Sequence, residues 1–137
     1  MDIKFKEYTN YQESEILELY QAVGWRNYYE KPKMLEEAYK QSLDILGAYH
    51  EGQLVGILRV VGDGASIIYI QDILVRPEFQ RRGIGRQLFE LVMSKYANVY
   101  QKVLITDDTE KTKAFYKSMG FSNLEETTGV CFISYTF

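Results

Sequence analysis

The chain of 137 residues is poor in the side chains that ligate metals or cross-link a fold, with one cysteine, Cys131, and one histidine, His50. A lone cysteine closes no intrachain disulfide, and the two residues together are too few for a zinc or other His/Cys metal centre. Proline is scarce, and no low-complexity tract, linker or internal repeat divides the sequence. No apolar run reaches the roughly 18 residues of a membrane-spanning helix, and Met1-Asp2-Ile3-Lys4 lacks the apolar stretch of a secretory leader, so a cytoplasmic protein is expected. An excess of positive charge is also missing. Sixteen Lys plus Arg against nineteen Asp plus Glu leave a net charge of −3, which disfavours nucleic acid as a partner.

What remains is ordinary and globular: 46% hydrophobic residues, 15% aromatic and 26% charged. A chain of this length buries roughly two thirds of the surface it exposes when unfolded, so a single domain over 1–137 needs no staple. Ile3 and Phe5 alternate with lysines and predict a first strand. Asn10 and Glu13 have capping-box spacing before Ile16, Leu19, Tyr20 and Val23, which predicts a helix over about 11–23. Pro32 opens a second helix carrying Leu35, Ala38, Tyr39 and Ser42. Leu43–Tyr49 and Leu54–Val61 flank His50-Glu51-Gly52 as a hairpin, with His50 a solvated loop residue. After the turn Gly62-Asp63-Gly64, Ile67–Val75 is a long strand stopped by Pro77.

A helix from about Gly85 to Tyr96 follows, with Leu88, Leu91, Val92 and Tyr96 inward, then a short buried strand over Lys102–Thr106. Thr109 caps a short helix ended by Gly120. Val130–Tyr135 predicts a last strand, able to pair across a homodimer, with Cys131 in the core rather than a nucleophile, and Phe121–Leu124 is a candidate extra strand. Three consecutive strands followed by strand–helix units indicate an α/β (α+β) mixed sheet with helices on its faces.

The segment that carries chemistry is Gln80-Arg81-Arg82-Gly83-Ile84-Gly85, between the strand and the long helix. Gly83 and Gly85 let the backbone turn tightly and present N–H groups at the positive end of a helix, which is an anion site. Arg81, Arg82 and Arg86 add three cations to an otherwise acidic chain, and a diphosphate is the natural guest. No Lys-Ser or Lys-Thr follows the glycines, as a P-loop requires, and Leu88 stands where a dinucleotide fingerprint needs its third glycine.

With Val75-Arg76-Pro77 before it and Ala114-Phe115-Tyr116-Lys117-Ser118-Met119-Gly120-Phe121 after it, this segment resembles the GNAT acyl-CoA N-acetyltransferases. Gln80–Gly85 matches their Q/R-x-x-G-x-G/A signature, and the later stretch their A-x-x-F-Y-x-x-x-G-F region. The resemblance implies a three-layer mixed sheet, splayed between its fourth and fifth strands, with helices on both faces. It implies acetyl-CoA as co-substrate and no metal. The pantetheine arm would pair with Ile73, Leu74 and Val75, and the pyrophosphate would rest on Gln80, Arg81, Arg82, Gly83, Ile84, Gly85 and Arg86. An N–H near Leu74 would stabilise the oxyanion.

Phe115 and Thr109 complete the implied cofactor set, Thr109 standing where the family has Asn. Tyr116 matches the family's general acid. Many members carry a Glu near Gln71; here Asp72 is the candidate base. The acceptor would meet Trp25, Tyr28 and Tyr29, with Glu30 beside them, in the region the family matches least. The expected activity is transfer of acetyl to the primary amine of a small molecule by direct attack in a ternary complex. A non-catalytic CoA-binding module and a protein N-terminal or lysine acetyltransferase are the alternatives.

Overall fold

The computed structural model describes residues 2–136. The chain divides into two compact units, Met1–Ile105 and Thr106–Phe137. In the first, the strands β1 (Lys4–Glu7), β2 (Asp44–His50), β3 (Gln53–Gly62), β4 (Ile67–Val75) and β5 (Gln101–Leu104) form one sheet in sequence order. Neighbours are antiparallel except β4 and β5, which run parallel. The parallel step needs a crossover, and helix α4 (Ile84–Lys95) supplies it.

Helices α1 (Glu13–Ala22), α2 (Arg26–Tyr29) and α3 (Pro32–Gln41) precede β2. Ile16, Leu19 and Tyr20 of α1 and Leu35 and Tyr39 of α3 form one apolar cluster with Ile57 and Leu74 of the sheet. The next residue along β3, Gly56, lies against α4: a Cβ there would stand 3.4 Å from Leu88 Cδ1. Successive strand residues point to opposite faces, so the sheet carries helices on both. That is why Leu54–Val60 reads as an unbroken apolar run around Arg59, all of it buried.

The second unit holds α5 (Glu110–Ser118) and a single 3₁₀ turn, Leu124–Glu126. Thr109 caps α5 as expected, its hydroxyl accepting from the Thr112 N–H. Gly120 follows the helix with φ +92°.

Six expectations need correction. Val130–Tyr135 forms no strand, nor does Phe121–Leu124. Val130 and Phe132 are 77% and 92% exposed, because β-prone residues become a strand only when another strand offers them hydrogen bonds. Cys131 is exposed with them, not in the core. Asn10 does not cap α1; the Tyr8 hydroxyl accepts from the Gln12 N–H at 3.0 Å and donates to Glu15 instead. Leu91 points outward on α4, and β5 ends at Leu104 and is only half-buried, as an edge strand is.

Candidate active site

β4 is longer than its parallel neighbour. Its pairing with β5 covers Ile67–Ile70 against Gln101–Leu104 and then stops. Among the described residues, Gln71–Val75 therefore has a strand on one side only, the β3 side, where Asp72, Ile73, Leu74 and Val75 pair with Arg59, Leu58, Ile57 and Gly56. The sheet opens between its fourth and fifth strands, as the motif led us to expect. The ladder also slips: Arg59 faces Asp72 and Val60 faces Ile70, leaving Gln71 as the extra residue of a bulge. A bulge re-aims side chains at the point where the sheet parts.

The turn after β4 is fixed by its own polar groups. Gln80 Nε2 donates to the Val75 carbonyl at 2.9 Å, and Arg76 holds α1 through Glu18 at 2.7 Å. Pro77–Phe79 makes one 3₁₀ turn. Arg81 and Gly83 then both take left-handed backbone, φ +65° and +77°, and α4 begins at Ile84 with no side chain capping it. The first N–H groups of a helix have no intrahelical acceptor. Ile84 is buried and anchors the turn, while Arg81, Arg82, Gly83 and Arg86 are exposed. A Cβ on Gly83 would meet nothing nearer than Gln87 Nε2 at 4.0 Å, so the space beside it is open. Arg82 lies over the Phe79 ring, which contacts the His50 ring in turn, and Arg86 pairs loosely with Glu90. An exposed turn with left-handed backbone, a helix N-terminus and three arginines make a donor set that a diphosphate fits.

Beside the bulge lies a buried polar network. Asp72 is 1% exposed; its Oδ2 accepts from Arg59 Nε at 2.7 Å and from the Tyr20 hydroxyl at 2.6 Å. Tyr20 also bonds Tyr39 at 2.9 Å, and Arg59 reaches Ser42. Asp72 Oδ1 is buried without a hydrogen-bond partner. Burial first, then the charge of Asp72, drive the Tyr20 phenol well above its ordinary pKa. Burial works against the Arg59 charge, but Asp72 more than offsets it and raises the guanidinium.

Trp25, Tyr28 and Tyr29 pack against this core. Gly24–Tyr28 lines a cleft of about 320 Å³. Gln71 Nε2 donates to the Tyr28 hydroxyl at 2.9 Å, and the rings of Tyr20 and Trp25 stand 5.4 and 5.9 Å from that of Tyr28. Glu30, the carboxylate expected beside an acceptor, is paired with Arg26 at 3.0 Å.

In the second unit, Phe115 and Tyr116 are half-buried and meet edge to face, and burial raises the Tyr116 phenol. Asp108 holds Lys113 at 2.6 Å. Among the described residues no His/Cys/Asp/Glu group could hold a metal ion, and no helix is long and apolar enough to cross a membrane.

This arrangement agrees with kinship. The family model of the acetyltransferase (GNAT) domain matches residues 8–136. The chain belongs to the GNAT acetyltransferase family. A GNAT family acetyltransferase from Streptococcus pneumoniae TIGR4 superposes with a TM-score of 0.85 at 39% identity, over 98% of this chain and all (100%) of that one. An N-acetyltransferase of Lactobacillus delbrueckii subsp. lactis is 31% identical over 86 residues, 56% of this chain and 50% of that protein. With 46% of a Gibberella zeae acetyltransferase covered as well, this GNAT chain spans about half the length of these curated relatives. An aminoglycoside acetyltransferase from an uncultured soil metagenomic sample, crystallised with sisomicin, has a TM-score of 0.70 at 18% identity over 98% and 96% of the two chains. At that identity it shows the GNAT fold alone.

The structure brings Asp72, Gln71 and Tyr28 together on one side of the bulge, and Gln80–Arg86 together at the turn. Sequence reasoning missed Tyr20, Tyr39 and Arg59. The signal was there for Arg59: a single charge inside Leu54–Val61, a run bound for burial, needs a buried counter-charge.

Proposed function

We propose that this GNAT protein transfers an acetyl group from acetyl-CoA to the primary amine of a small molecule by direct attack in a ternary complex. The observation that carries the reading is the half-paired end of β4 leading straight into the open Gly83 turn. Acetyl-CoA, when bound, supplies the acyl carbon and a sulfur leaving group. The amides and arginines of Gln80–Arg86 hold its linked phosphates, and the free edge at Ile73–Val75 pairs with its extended arm as an added strand would. A main-chain N–H near Leu74 draws charge from the thioester carbonyl. Thr109 and Phe115 complete the cofactor contacts.

Asp72 takes the proton released by the attacking nitrogen, directly or through water, at Oδ1, the oxygen that Arg59 and Tyr20 leave open. Tyr116 protonates the departing sulfur; burial keeps it a neutral acid at working pH. Trp25, Tyr28 and Tyr29 receive the acceptor. A solved structure of the same fold, an aminoglycoside acetyltransferase in complex with sisomicin, gives a precedent for a small-molecule ligand on it. A cytoplasmic location follows from the reading of the sequence. The exposed apolar side chains of Val130, Phe132, Ile133 and Tyr135 favour a second copy as their cover, and light scattering would show a dimer that V130D/F132D abolishes.

A melting-temperature and thiol-release screen with acetyl-CoA tests the activity against amines, amino-terminal peptides and lysine peptides. Stabilisation with thiol release on small amines is expected. Stabilisation without release on any acceptor would establish a binding module instead, and release only with peptides would make it a protein acetyltransferase. Y116F is expected to lower kcat about 10²-fold with acetyl-CoA binding unchanged.

A further inference from the structure

A buried arginine can offer its flat fork to both oxygens of a carboxylate, and a buried ion pair gains most when it does. Arg59 does otherwise. Its Nε donates to Asp72 Oδ2 at 2.7 Å, while Nη1 donates to the Ser42 hydroxyl at 3.3 Å. The second donor, the Tyr20 hydroxyl at 2.6 Å, goes to Oδ2 as well. Oδ1 is left buried with no hydrogen-bond partner among the described residues. A carboxylate only accepts, so Tyr20 spends its hydrogen on Oδ2 and its oxygen takes the hydrogen of Tyr39 at 2.9 Å. Groups from α1, α3 and β3 thus converge on one oxygen of Asp72.

Packing does not call for the Tyr20 hydroxyl. The ring is fully buried against Trp25, Tyr28 and Tyr39, and phenylalanine would fill the same space. Burial first, then the Asp72 charge, keep this phenol protonated, so it remains a donor. The titratable and charged groups that face Asp72 are Arg59 from β3, Tyr20 from α1, Tyr39 from α3 and Tyr28 from α2. Hydrogen bonds to an ionised carboxylate favour the ionised form, and here they do so without occupying Oδ1.

We propose that Tyr20 is a positioning residue for acetyl transfer: with Arg59 it gathers the donors on Oδ2, so that Asp72 is held as a carboxylate whose Oδ1 takes the proton. This rests on the acetyl-transfer reading above, with Asp72 as base. Tyr116 gives its proton to the sulfur as the carbon–sulfur bond gives way to the new carbon–nitrogen bond, and Asp72 Oδ1 takes the proton that the nitrogen sheds. Solvent then removes the proton from Asp72 and restores one to Tyr116.

The test follows thiol release from acetyl-CoA by the full chain between pH 5.5 and 9.5, with tyramine, spermidine and glucosamine as acceptor probes. The amine turned over fastest is carried forward. Y20F removes one donor from the ionised form, so the carboxylate protonates at higher pH, and the acid limb of kcat should move up by about one unit with KM for acetyl-CoA unchanged. Y39F, one hydrogen bond further away, should move it in the same direction by about half a unit. A purely structural hydroxyl would lower the melting temperature and leave the limb in place. D72N should lower kcat about 10²-fold. No release with any probe overturns the acetyl-transfer reading, and D72N as fast as the unaltered protein overturns Asp72 as base; the proposal falls with either. A slow D72N with an unmoved limb in Y20F, or in Y39F where Y20F does not fold, overturns the positioning role alone.

Discussion

At the scale of single residues, the pair Arg59–Asp72 sets the character of this core. Two ions out of water are tolerable only when each satisfies the other, and removing one strands its partner. Arg59→Met should therefore cost about 3–5 kcal/mol of stability, and Arg59→Met with Asp72→Leu should recover much of that loss; chemical denaturation of both variants checks it. The tyrosines make a second prediction. Tyr8, Tyr20, Tyr39 and Tyr96 all have folded-state pKa values raised above the ordinary one, burial being the first cause in each.

The folded state then keeps phenolic protons that the unfolded chain releases near pH ~10. Their contribution is complete below that pH and disappears as pH climbs towards the folded values. The melting temperature should hold steady through neutrality and fall steeply above about pH 10. Single residues were the least legible level of the sequence. Tyr116, Asp72 and the glycine turn could be singled out by motif, but Tyr20 and Tyr39 looked like any apolar positions of a helix face. Nothing local shows that a phenol 52 positions before a carboxylate will bond it at 2.6 Å.

At the scale of elements, two glycines separate conformation from space. Gly62 has φ +131°, and a Cβ there would stand 2.5 Å from the Ile67 carbonyl oxygen; Gly83 has φ +77° and open surroundings. Gly83→Ala should cost about 1 kcal/mol, from backbone strain alone, and weaken acetyl-CoA binding. Gly62→Ala should cost more, because the turn into β4 must shift as well, yet leave the Gly83 turn untouched. Melting temperatures of the two variants, with and without acetyl-CoA, distinguish them. Most elements were legible: β4 falls on Ile67–Val75 as read, and Pro32 and Thr109 mark their helix starts. Those signals are local, made by residues that act on their own neighbours. The failures, Val130–Tyr135 above all, are elements whose existence depends on a partner that propensity does not specify.

At the scale of the whole molecule, family membership was legible because two short motifs stand in the right order. The half-paired end of β4 has a cost as well as a use. A row of backbone donors and acceptors that no strand among the described residues pairs is a template for any extended chain that drifts past, which makes the empty protein its own worst solvent companion. Storage without cofactor should turn solutions turbid over time, and saturating coenzyme A should keep them clear by occupying the same row. Light scattering during incubation, with and without coenzyme A, reads the difference directly; equal clouding in both would mean that the seam is harmless. For a domain of this design, the ligand it works on would double as its preservative.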